Sequence, residues 1–226
     1  VEHKLIAAME VPKLKNNGAG GGRRSAFTED EIKAIRAEAA NWVKTGKKQI
    51  TQRIRAYLVW YIDIALGTMA RPGKELDHLT VGDVNVRVIN GEEYATVTIR
   101  KSKTTLFTGT REVIVKDSYL TALKHLLMLH KDDSSDTLLF DVGAAPSTNP
   151  FGKSFQRLLR KLNLEYDAHG KRTLYSLRHT AITHALLEGV PPHVIAAQSG
   201  HSLEMLSKFY NHVTSMMNAK QLSGRK

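Results

Sequence analysis

Asn90-Gly91 separates two runs in which β-branched residues alternate, Val84 to Ile89 and Tyr94 to Arg100. Both turn residues accept positive φ, as a two-residue hairpin loop requires, so the stretch is expected to fold back on itself as two antiparallel strands. A third run, Glu112 to Val115, completes a small sheet, and the loop before it carries Lys101 and Lys103. The other periodic segments all have helical spacing. The expected fold class is therefore mainly α with a small antiparallel three-stranded β-sheet, an α+β architecture.

Phe27-Thr28-x-x-Glu31-Ile32 is a capping box, with Thr28 as N-cap and Phe27 placed to staple onto Ile32, and predicts a helix running to about Lys44. Ile54, Leu58, Ile62 and Ala65 predict a second from Thr51 to Leu66, with Gly67 as its stop. Tyr119, Leu123, Leu126, Leu127 and Leu129 mark a third, followed by a polar loop around Asp132 to Asp136. Between Pro150 and Leu164, Phe155, Leu158, Leu159 and Leu162 define an apolar face, while Lys153, Arg157, Arg160 and Lys161 fall largely on the other. Thr173 or Ser176 is positioned to cap the helix that carries Arg178, and Gly189 to end it. A shorter helix leads to Gly200-His201, and Tyr210 is expected on another that begins near Ser202. The Gly-rich stretch within residues 1–25 cannot bury enough apolar surface to fold and reads as an inter-domain linker.

Lys and Arg number 33 against 22 Asp and Glu, a formal net charge of +11 over 226 residues, which points to a polyanionic partner, nucleic acid first. With no cysteine, disulfides, Cys-ligated zinc and thiol catalysis are excluded. No His-Glu-x-x-His pattern is present, so no metal site is expected. No apolar run approaches the ~20 residues of a membrane span and no signal-peptide core opens the chain, so the expected location is cytoplasmic and DNA-associated, with no membrane partner.

The last third carries Tyr175-Ser-Leu-Arg178-His179-Thr180, then Gly200-His201-Ser202, then Phe209-Tyr210-Asn211-His212. In that order these segments resemble the C-terminal boxes of the tyrosine recombinases, the phage-integrase family. Upstream, Leu66-Gly67-Thr68-Met69-Ala70-Arg71-Pro72-Gly73-Lys74-Glu75-Leu76 resembles the box holding the family's first Arg, and Arg100-Lys101-Ser102-Lys103-Thr104 its hairpin Lys. Lys103 is favoured over Lys101 because the Ser-Lys-Thr context is the closer match. The resemblance covers about Phe27 to Val213, and implies a catalytic domain over residues 26–213 with a tail, 214–226, of the kind exchanged between subunits. The usual separate N-terminal helical domain would precede the linker.

Three departures stand out. Tyr175 occupies the position where the family most often has His. The first box is one residue longer than the common form, so that Lys74 or Glu75 could take the acidic position, and Glu75 is preferred. Ser199 stands where a Leu is usual, a change expected to alter local packing only.

The resemblance implies a catalytic set of Arg71, Lys103, Tyr175, Arg178, His201 and Tyr210, with Lys101, Lys153, Arg157, Arg160 and Lys161 as contacts to the DNA backbone. Arg suits the clamp because its planar fork gives two hydrogen bonds to phosphate oxygens and keeps its charge. Tyr210 would attack phosphorus and keep the bond energy in a 3′-phosphotyrosine, with Lys103 protonating the 5′-oxygen that leaves, so neither ATP nor any other cofactor is needed. Such an enzyme integrates or excises a phage or mobile element as a homotetramer on two double-stranded attachment sites, with accessory DNA-bending proteins as further partners. Taken singly, each residue has a plainer reading: Tyr210 as core, His201 as a turn residue, the arginines as surface ion-pair partners; His179 and His212 are open between structural and catalytic roles, and with Tyr175 in place of the usual His, water or His179 is left to accept the Tyr210 proton. All four boxes in family order on one basic chain outweigh those readings. Two alternatives remain open here: a noncatalytic DNA-binding module that keeps the fold, and a type IB topoisomerase-like enzyme.

Overall fold

The computed structural model describes residues 26–100, 109–208, 210 and 222–224. The capping box forms as expected: Thr28 Oγ1 accepts from the Glu31 amide at 3.1 Å and Glu31 accepts from the Thr28 amide at 2.9 Å, opening α1, Glu29–Val43. Three acidic residues in its first turn favour the positive end of the helix dipole. Phe27 and Ile32 are both buried in the main core, and the Phe27 amide donates to Thr180 Oγ1 at 2.8 Å, tying the start of α1 to a helix far along the chain.

The centre of the fold is α2, Gln49–Thr68, buried continuously from Tyr61 to its end. It does not stop at Gly67. That residue lies inside the helix, where a Cβ would come within 3.1 Å of Tyr119, so the glycine makes room for an aromatic neighbour. The helix ends instead at Met69, whose φ of 57° places a non-glycine residue in the left-handed region.

The sheet is antiparallel in the order β1 (Val84–Ile89), β2 (Glu92–Ile99), β3 (Arg111–Ile114). Asn90 and Gly91 both have positive φ, 54° and 83°, the backbone of a type I′ turn. The turn lets β2 begin at Glu92, two residues ahead of Tyr94, and fixes the register that pairs Val86 with Ala95 and Val97 with Val113. Ala95, Val97, Ile99 and Val113 face the core. Residues 101–108 lie outside the described residues, and with them the expected sites of Lys101 and Lys103.

A short 3-10 turn leads into α3, Leu120–Leu129, which buries Leu120, Leu123 and Leu126; Leu129, expected on that face, is exposed. α4, Pro150–Lys161, is capped by Asn149 with Pro150 at its first position and buries Phe151, Phe155, Leu158 and Leu159. A two-stranded hairpin, β4 (Tyr166–Asp167) with β5 (Gly170–Lys171), precedes α5, Leu174–Leu187. Here Thr173 is the N-cap and Ser176 its reciprocal partner, so both expected capping residues act in one box. Gly189, at φ 83°, turns the chain out of α5, and α6, Pro192–Ser199, ends at Gly200 with φ 68°. Residues 203–208 are helical, and so is Tyr210.

Two apolar clusters form among the described residues. The larger holds α1 through α4, the sheet and the start of α5; the smaller gathers Ile182, Ala185, Leu186, Ile195, Ala196, Leu206 and Tyr210. Arg178 lies on α5 between Leu177 of the first cluster and Ile182 of the second. Among the described residues no helix is long and apolar enough to cross a membrane.

Candidate active site

Arg71 follows the left-handed turn at Met69. Its carbonyl accepts from the amide of Glu75 at 2.9 Å, a single turn of helix that brings the Glu75 side chain back to it. Glu75 takes the Arg71 amide at 2.8 Å and its guanidinium at 2.5 Å, while the other terminal nitrogen of Arg71 donates to the Gly200 carbonyl at 2.9 Å. Lys74 is exposed and Glu75 is 1% exposed, so the buried acidic position belongs to Glu75, as preferred from the sequence. Tyr61 supports the same turn from below: its hydroxyl accepts from the Gly73 amide at 2.9 Å and donates to Asp77 at 2.5 Å.

A third guanidinium joins them. Arg111, the first residue of β3, donates to both Glu75 oxygens at 3.1 and 2.6 Å. Sequence reading missed it, because an Arg opening a short strand carries no local signal of what it will meet. Burial alone would push the Glu75 carboxyl up. Hydrogen bonds and charge from Arg111 and then Arg71 outweigh that and hold it below the usual range.

Arg178 is wholly buried. It donates to the Met69 carbonyl at 2.5 Å and the Ser199 carbonyl at 2.7 Å, and its Nη2 lies 3.3 and 3.2 Å from the two ring nitrogens of His201. Burial first, and then the charge of Arg71, lowers its pKa to about 10, which still leaves it charged at neutral pH. Ser199 does more than fill space: its hydroxyl sits 3.1 Å from His201 Nδ1 while its carbonyl binds Arg178. His201, placed by the left-handed Gly200, is driven to a pKa of about 3 by burial and then by Arg178, Arg71, His179 and Arg111, so its ring is uncharged at neutral pH.

Tyr210 is 5% exposed, and its hydroxyl lies 2.5 Å from Nδ1 of His179, the residue after Arg178. Burial pushes this phenol well above its usual range; Arg178 pulls it back in part, and Tyr175 raises it further. Tyr175, half-buried in the first turn of α5, sets its ring edge-on to His179 at 5.2 Å. It also lines an open groove of about 620 Å³ with Lys74, Lys153, Arg157 and Arg160. Of the four α4 cations proposed from sequence, Lys161 stands apart in an ion pair with Glu38, and Arg160 shares the groove with a contact to Glu165 at 2.8 Å. The structure thus gathers Arg71, Arg178 and His201, with Tyr210 joined to them through His179 and Tyr175 close by; Lys103 lies outside the described residues.

The mainly helical fold with a small three-stranded antiparallel sheet is shared with tyrosine recombinase catalytic domains. The chain belongs to the phage integrase family, whose model matches residues 25–216. No curated protein sequence is significantly similar to it. Among solved structures it is similar to the XerH site-specific recombinase in a post-cleavage complex with palindromic difH substrate, with a TM-score of 0.65 and 20% identity over 90% of this chain. It is also similar to the Tn1549 transposon integrase in complex with transposon right end DNA, with a TM-score of 0.60 and 20% identity over 88% of this chain. A lambda integrase dimer bound to a COC' core site gives 0.55 and 18% over 83%. The matches cover 54%, 65% and 48% of those chains, so this chain spans about half to two thirds of their length.

Proposed function

We propose that residues 26–213 form the catalytic domain of a site-specific DNA recombinase that cuts and rejoins DNA through a 3′-phosphotyrosine on Tyr210, in the service of a phage or other mobile element. The observation that carries this reading is the meeting of Arg71, Arg178 and His201 around one point, within reach of a tyrosine bonded to a histidine. One terminal nitrogen of Arg71 is held by the Gly200 carbonyl and the other by Glu75, while those of Arg178 are held by the Met69 and Ser199 carbonyls. A phosphodiester is the stronger acceptor for a guanidinium, so DNA would compete for those donors, and they would hold the nonbridging oxygens as charge builds up in the transition state. His201 supplies a further donor and Lys103 protonates the leaving 5′-oxygen.

The groove lined by Lys153, Arg157 and Arg160 runs from α4 to the first turn of α5 and would follow the DNA backbone toward the clamp, with Lys101 and Lys161 as outlying contacts. DNA-bound recombinases of the same fold support a double-stranded DNA partner. Strand exchange would require a tetramer on two duplexes, with residues 1–25 as linker and 214–226 as the exchanged tail.

Tyr210→Phe tests the assignment, since it removes one oxygen and little surface. On a nicked suicide duplex the variant should bind DNA as the parent does and form no covalent adduct on a denaturing gel. An adduct that persists, or maps to Tyr175, refutes it.

A further inference from the structure

The phosphotyrosine reading leaves open what takes the proton from Tyr210. A phenol ordinarily titrates near 10, and burial moves this one higher, so a base is needed all the more. Tyr175, in the position where the family most often has His, is itself a phenol and has no useful basicity at neutral pH. His201 is engaged by the Arg178 guanidinium and the Ser199 hydroxyl. The group in contact with the nucleophile is His179, with Nδ1 2.5 Å from Tyr210 Oη. It sits on α5 beside Arg178, whose guanidinium is held by two backbone carbonyls, and its ring is flanked by Tyr175 one turn earlier and by Tyr210, ring centroids 5.2 and 5.9 Å away.

Resting on the phosphotyrosine reading, we propose that His179 is a catalytic residue of this chain: its Nδ1 receives the Tyr210 proton during attack on DNA and returns it during rejoining. In cleavage the Tyr210 Oη–P bond forms, the phenolic proton moves to Nδ1 to give an imidazolium, the bond from phosphorus to the 5′-oxygen breaks, and that oxygen takes a proton from Lys103. In rejoining, the incoming 5′-hydroxyl gives its proton to Lys103 and attacks phosphorus, and Tyr210 departs with the proton returned by His179. The acceptor must be neutral with its hydrogen on Nε2. Cleavage is therefore lost in acid, as the ring takes up a second proton, and regained as pH rises. Among the described residues, the charged and titratable groups around the ring include Arg178 and Tyr175 on its own helix, His201 from the turn after α6, and Tyr210 itself.

The test is single-turnover cleavage of a nicked suicide duplex, recovered from a randomised pool by covalent trapping on the wild-type chain. It is run with a normal 5′-oxygen and with a 5′-bridging sulfur, which leaves without help from an acid. His179→Gln should slow both substrates by about 100-fold or more, the range of a lost general base, and should remove the low-pH limb of the rate profile. His201→Gln and Tyr175→Phe should keep that limb. A His179→Gln rate within a few-fold of wild type, a faster one, or an intact limb overturns the proposal, the faster rate marking His179 as a latch that restrains Tyr210. If the variant does not fold, the wild-type profile on the sulfur substrate decides: a rate that does not fall in acid overturns the proposal. A wild-type chain that traps no DNA from the pool refutes the phosphotyrosine reading instead.

Discussion

Glu75→Gln is the perturbation whose size follows most directly from the structure. One buried carboxylate balances two guanidiniums, Arg71 at 2.5 Å and Arg111 at 2.6 Å, whose side chains are only 13% and 16% exposed. Removing one partner of a buried ion pair costs about 3–5 kcal/mol, because the charge left behind is uncompensated. Gln keeps the shape and one acceptor oxygen, so the lower end applies, about 3 kcal/mol at pH 7. For a domain of this size that is a fall of roughly 6–12 °C in Tm. Because the folded-state pKa of Glu75 is depressed, its contribution is complete above the unfolded-state value of about 4.3 and disappears as pH falls through the lower folded value. Urea denaturation of both proteins between pH 7 and pH 3 should show a constant gap down to about pH 5 that closes only in stronger acid. A gap under ~0.5 kcal/mol at pH 7, or one that persists unchanged to pH 3, would mean that the carboxylate does not neutralise the arginine pair. The same substitution should reduce covalent DNA trapping by more than the loss of folded protein explains, because Arg71 loses the group that orients it.

Three further outcomes are expected. Lys153→Ala with Arg157→Ala should weaken DNA binding uniformly across sequences and flatten the plot of log affinity against log salt by about 0.9 for each phosphate no longer neutralised; an unchanged slope would leave the α4 stripe as a solvated face. Gly200→Ala should destabilise by about 1–2 kcal/mol in urea, since φ is 68° and the new Cβ would lie 3.0 Å from the Arg111 guanidinium; a neutral change would mean that the turn relaxes without disturbing that group. Tyr175→Phe should slow cleavage about 10-fold, the worth of one hydrogen bond to the reacting phosphate, with the shape of the pH profile retained; a wild-type rate would assign Tyr175 to packing against His179.

What the sequence determined is local. Positive φ at Asn90 and Gly91 set the hairpin and its register, Thr28 with Glu31 and Thr173 with Ser176 set two helix starts, and Gly189 and Gly200 set two ends. These signals act within a few residues, through sterics at one φ or a hydrogen bond to a nearby amide, so they are readable without the fold. The order of Arg71, Arg178, His201 and Tyr210 was readable as well, because the resemblance preserves it. Periodicity carried less. It could not tell that Leu129 would be left in solvent, or that Gly67 would serve Tyr119 instead of ending α2, since both depend on what packs alongside. The tertiary structure alone decided that Arg111 shares Glu75 across 36 residues, that His179 meets Tyr210 across 31, and that Ser199 joins Arg178 to His201. An Arg at the start of a strand and a His on a helix look the same in sequence whatever they later touch. Their chemistry is assigned when the sheet, α5 and the last helical stretch close on one another and water is excluded from the charges between them.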